Sequence, residues 1–161
     1  MTTTLIVRRT GRGTWAAHDV AGRPVGTMHT GRGLATAELR AASGVWTARA
    51  GARGRCRVTA GPADRPHLRL EPPHAQITGV GGPVRWNLGR NLRQYRGTLA
   101  SGTGRIAART RAFAGGAVEA EVEGQWPDLV VLAVCFAVLT RKRRDQMLAL
   151  QIAVITSPGP R

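Results

Sequence analysis

Lysine is almost missing from this chain. Of its 24 cations 23 are arginine, and Lys142 is the single exception. Codon usage in a GC-rich genome produces that bias, and so does selection for a surface that grips anions; composition leaves both open. Acids are scarce as well. Nine of them leave a formal net charge of +15, so most of the surface must be basic. Anionic partners follow as a class: nucleic acid, anionic lipid headgroups or an acidic protein.

Cysteine is nearly absent too. Cys56 and Cys135 lie far apart and in no CxxC pattern, which argues against a disulfide framework and a zinc site. Cys135 falls inside an apolar run and reads as a small buried hydrophobe. His18, His29, His67 and His74 show no HxH or HxxxH spacing, and no GxSxG surrounds a serine. The expectation is a protein without catalytic residues, metal or cofactor. At the start only Leu5-Ile6-Val7 is apolar, too short for the core of a signal peptide, so a cytoplasmic protein is expected.

Long hydrophobic runs are also lacking, and the longest one is instructive. In WPDLVVLAVCFAVLTRKRR (126–144), Leu129 to Leu139 is apolar at every position, so no helix period leaves a polar face. Such a helix must be surrounded on all sides. Eleven residues at about 1.5 Å each reach only about 16 Å, against about 30 Å of hydrocarbon. Protein must therefore surround it, and no membrane span is expected. Pro127 and Asp128 suit a helix start, and Arg141 to Arg144 would complement the dipole at its end, giving a core helix over about 127–142. Leu129, Leu132, Val134, Phe136 and Leu139 are its expected core side chains.

Before residue 125 helical periodicity gives way to alternation. Val118, Ala120 and Val122 alternate with Glu119, Glu121 and Glu123. Val84, Trp86 and Leu88 alternate with Arg85 and Asn87; Leu68 and Leu70 flank Arg69; Cys56 and Val58 alternate with Arg55 and Arg57. Glycine and proline turns separate these runs about every ten residues. AELRAASGVWTARA and RGTLASGTGRIAAR both read as strand, Ser-Gly turn, strand. The expected fold is mainly β: a closed antiparallel β-barrel of about twelve strands around one central hydrophobic C-terminal α-helix. A single domain over 1–156 is expected, with 157–161 a short flexible tail.

The segments WAAHDVAGRPVG (15–26), SGVWTARAG (43–51), GGPVRWNLGRNLRQYRGTL (81–99) and 126–144 together resemble the tubby C-terminal-like superfamily, which includes phospholipid scramblase-like and LURP-one-related proteins. The resemblance implies an antiparallel barrel threaded by the hydrophobic helix. It rests on spacing, glycines and aromatics, and no position matches the family's calcium-binding or phosphoinositide-binding motifs. MLALQIAVITS (147–157) departs from the family, whose chains usually end near the helix. It is read as an additional strand or packing segment, with an extension of the helix as the alternative.

GTGRIA (102–107) fits a dinucleotide-binding pattern, but that mechanism needs a following helix, and the alternation from Arg105 to Phe113 leaves none. Glu119, Glu121 and Glu123 line one strand face in a row, and are read as a solvated stripe pairing with neighbouring arginines. From Pro72 to Val118 there is no acid but seven arginines, among them Arg85, Arg93, Arg105, Arg109 and Arg111. Outward positions for Arg85, Arg105, Arg109 and Arg111 would form one patch if their strands are neighbours. These residues, with Arg141, Lys142, Arg143 and Arg144, are the candidate anion- or lipid-binding set, since the guanidinium fork fits phosphate. The function expected is a non-enzymatic module that binds anionic lipid headgroups, as resemblance to the family favours, and sits at most peripherally on a membrane. A nucleic-acid-binding or protein-scaffold module using the same face is the alternative. Nucleic acid ranks lower because Trp46 and Trp86 are expected to point inward, away from bases.

Overall fold

The computed structural model describes residues 1–51, 57–63, 65–113 and 115–159. Twelve strands form β1 (Thr2–Gly11), β2 (Thr14–Asp19), β3 (Pro24–Thr30), β4 (Thr36–Ala41), β5 (Gly44–Ala50), β6 (Val58–Gly61), β7 (Leu68–Glu71), β8 (His74–Ile77), β9 (Val84–Arg90), β10 (Gln94–Ser101), β11 (Gly104–Arg111) and β12 (Val118–Glu123). A 29-residue helix, α1 (Asp128–Thr156), follows. Each strand pairs antiparallel with its sequence neighbour, and β1 pairs with β12, so the sheet closes without an edge. Closure removes the exposed strand edges that invite aggregation.

Alternation sets the two faces. Val118, Ala120 and Val122 are buried on β12, as are Val84 and Trp86 on β9 and Leu68 and Leu70 on β7. The two Ser-Gly hairpins are β4–β5 and β10–β11. Cys56 and Arg55, half of another alternating run, lie outside the described residues. The expected closed barrel is the one observed.

Residues Leu129 to Leu139 of α1 fill the lumen, each at most 4% exposed. A helix is about 10–12 Å across with its side chains, so the wall must make room for it. Alanine does so at inward positions 17, 48, 60, 108 and 120. Glycine does so more sharply. A Cβ on Gly97 would lie 2.5 Å from Trp86 Cη2 and 2.8 Å from Val138 Cγ2, and one on Gly26 would lie 2.9 Å from Leu132 Cδ1. At these two points the helix packs directly on strand backbone.

Burial pushes the Cys135 thiol pKa up to about 12. The thiolate is the reactive form, so a thiol held that high and shut off from solvent is inert. In a Cys56→Ser background, Cys135 should resist iodoacetamide at pH 8 and react at the rate of global unfolding. Rapid labelling of the folded chain would contradict an enclosed helix.

One expectation about α1 needs correction. The helix runs past residue 142, where its buried part ends, and the run from Met147 follows the alternative, an extension of the helix, and adds no strand. α1 continues to Thr156, with Met147, Leu148, Leu150, Ile152, Val154 and Ile155 exposed. The cause is local: no glycine or proline occurs between Asp128 and Thr156, and Arg, Lys, Gln, Met, Leu and Ala are good helix formers. Arg141 to Arg144 therefore lie mid-helix, not against its terminal carbonyls. Among the described residues no helix is long and apolar enough to cross a membrane.

Candidate functional site

The antiparallel order sorts the loops to two ends of the barrel. α1 enters at one end, where Trp126 Nε1 donates to the Glu123 carbonyl at 3.1 Å. It leaves at the other, among the turns at 12–13, 31–35, 72–73, 91–93, 112–113 and 115–117. Side chains fasten the exit. Lys142 Nζ donates to the carbonyls of Gly115 at 2.9 Å and Phe113 at 3.4 Å. Tyr95 Oη donates to Asp145 Oδ2 at 3.1 Å, and Asp145 also pairs with Arg141 and Arg90. The Arg90 guanidinium lies 5.4 Å over the Tyr95 ring. Burial, then the bond to Asp145, raises the Tyr95 pKa above its ordinary value.

The predicted basic residues divide between wall and exit. Arg85, on β9, and Arg105, Arg109 and Arg111, on β11, all point outward, but β10 separates the two strands. β10 adds the exposed Arg96, which lies opposite Arg109. Part of the wall is neutralised. Arg105 pairs with Glu123 at 3.2 Å, and Arg109 with Glu119 at 2.8 Å and Glu121 at 4.0 Å. The acidic stripe thus meets neighbouring arginines, as expected, because β12 lies beside β11. Exposed pairs of this kind contribute about 0–1 kcal/mol each, but they cancel local charge. The register thus pairs Arg105 and Arg109 with acids and sets Arg85 two strands from them, with Arg96 between.

The exit end is different. Exposed Arg12, Arg32, Arg93, Arg111 and Arg143 gather there, with Arg141 and Arg144 half-buried beside them. Asp145 and Glu71 lie among them, paired with Arg141 and Arg57 respectively. Lys142 leaves the candidate set: it is buried, burial lowers its pKa, and its amine is spent on loop carbonyls. A cavity of about 310 Å³ lies beside the emerging helix, lined by Leu34, Val58, Leu88, Ala137 and Met147 with Arg141, Arg143 and Arg144 at its polar side. A second of about 690 Å³ brings Arg9, Arg12, Arg32 and Arg143 together around Trp15. Side chains from the β1–β2 turn, the β3–β4 turn and α1 so converge on one cationic surface.

Sequence reasoning passed over Arg12 and Arg32, which sit among acid-poor glycine turns with no strand pattern to orient them. It also passed over the apolar residues at this end. Leu92 and Phe113, on adjoining loops, are 85% and 71% exposed, and the extension of α1 stands beyond them. A lone leucine between Arg90 and Arg93 was the available signal for the first. No group of three or more His, Cys, Asp or Glu among the described residues could hold a metal ion. Compared with family models, curated proteins and solved structures, the chain matches none.

Proposed function

We propose that this chain is a non-enzymatic β-barrel module that binds the anionic surface of a membrane peripherally, through the end of the barrel from which α1 emerges. One observation carries the reading: Arg9, Arg12, Arg32 and Arg143 line one cavity at that end, with Arg93 and Arg111 exposed beside them, while Arg105 and Arg109 on the wall are ion-paired. An end-on cationic collar meets a flat negative surface with every arginine at once, each contributing about 1 kcal/mol near charged lipid. The barrel threaded by its own helix supports placing the chain with the tubby C-terminal-like proteins. Binding of single-stranded nucleic acid through the same collar is disfavoured by the aromatics. Stacking along a strand needs several exposed ring faces, yet among the described residues Phe113 alone offers one: Trp86, Tyr95 and Phe136 are buried and the other tryptophans half-buried.

Co-sedimentation with phosphatidylserine-containing phosphatidylcholine vesicles, run beside DNA and RNA gel shifts across a salt series, tests the proposal. Vesicle binding that depends on phosphatidylserine and weakens as salt screens the collar is expected. Tight nucleic-acid shifts without vesicle binding would replace the proposal with the alternative.

A further inference from the structure

We infer that the apolar extension of α1 is a half-span anchor: it enters the hydrocarbon of one leaflet while the arginines at its base stay with the phosphates. This rests on the membrane-surface reading above and adds a mode of attachment to it.

The extension is apolar on every side. At about 100° per residue, Met147, Leu148, Leu150, Ile152, Val154 and Ile155 spread around most of the helix, and Ala149 and Ala153 fill the rest. Gln151 is the one polar interruption. A protein groove or a second helix covers a stripe, whereas a helix apolar all round needs a surrounding medium. Its length fits half a bilayer. Met147 to Ile155, nine residues, rises about 14 Å, close to the roughly 15 Å of one leaflet.

The hydroxyls at the tip suit that depth. A hydroxyl donor left without a partner in hydrocarbon is costly. Here Thr156 Oγ1 donates to the Ile152 carbonyl at 2.9 Å, and Ser157 Oγ to that of Ala153 at 2.8 Å. The Ser157 N–H also donates to the Ala153 carbonyl, at 3.0 Å. Charge selects the medium. Arg143 and Arg144 stand immediately before the extension, within the collar, and Leu92 and Phe113 are exposed on flanking loops at the same end. Apolar residues ringed by cations complement an anionic bilayer, with headgroups meeting the arginines and acyl chains the extension.

An environment-sensitive fluorophore on Ile152→Cys or Arg143→Cys, each in a Cys56→Ser background, reads the depth. With phosphatidylserine-containing phosphatidylcholine vesicles, the label at 152 should shift to the blue and be quenched best by lipids brominated deep in the acyl chain. The label at 143 should respond best to a headgroup quencher. Leu148→Glu with Ile152→Glu, both on exposed positions, should keep the barrel folded and weaken vesicle partition on the order of a hundredfold. Co-sedimentation with the 152 label still in a water-like environment would overturn insertion and leave surface binding standing. No co-sedimentation at all would overturn both. A blue shift without vesicles that grows with protein concentration would show a second copy covering the extension, and would overturn the anchor.

Discussion

Val134→Asp is expected to leave no cooperatively folded barrel at room temperature. Val134 lies midway along the enclosed part of α1 and is fully buried, among side chains contributed by the strands around it. An aspartate there meets no cation, because the cations of α1 begin at Arg141, about two turns further on at the exit. A buried charge without a partner costs several kcal/mol, against a total stability of about 5–15 kcal/mol for a domain. Protonating the carboxyl lowers the penalty but still strands a polar group in a dry lumen. Thermal unfolding followed by circular dichroism reads the effect, and an unchanged transition would mean that the helix is not enclosed. Val154→Asp makes the same chemical change on the exposed extension and should move stability by less than about 0.5 kcal/mol.

The barrel was legible because two constraints in the sequence had one joint solution. Leu129 to Leu139 demanded enclosure on all sides, and the alternating strands each offered one apolar face. Only a closed sheet satisfies both, and β1 pairing with β12 completes it. Period-two alternation also oriented Arg85, Arg105, Arg109 and Arg111 correctly, since face is a local property of a strand.

Register is not local, and it decides how the outward arginines are shared between pairs and solvent. Glu119, Glu121 and Glu123 take their positions opposite β11 from the pairing of two strands, and that pairing decides which arginines keep a net charge. Most collar arginines were legible as candidates, but their gathering at one end was not, for the same reason. Arg12, Arg32, Arg93 and Arg143 are separated by long stretches of chain, and only the alternating direction of the strands brings them to one end. The end of α1 was misjudged through its charges. Four cations after an apolar run look like a terminus, but charge alone does not break a helix. The first proline after them is Pro158.

Reversing the collar tests the central claim most directly. Arg12→Glu, Arg93→Glu and Arg143→Glu alter exposed side chains on the β1–β2 turn, the β9–β10 turn and α1, so the barrel should fold as before. Each substitution removes an attraction of about 1 kcal/mol and adds a repulsion of similar size, on the order of 3–6 kcal/mol for the three together. At about 1.4 kcal/mol per tenfold, affinity should fall at least about a hundredfold. Arg105→Glu with Arg109→Glu, on the ion-paired wall, serves as the control and should change it only a few-fold. Co-sedimentation with phosphatidylserine-containing vesicles at fixed salt compares the three proteins. Loss in the collar variant with binding kept in the wall variant is the expected result. Equal binding by the wild type and the collar variant, or loss in the wall variant alone, would contradict binding through the end of the barrel.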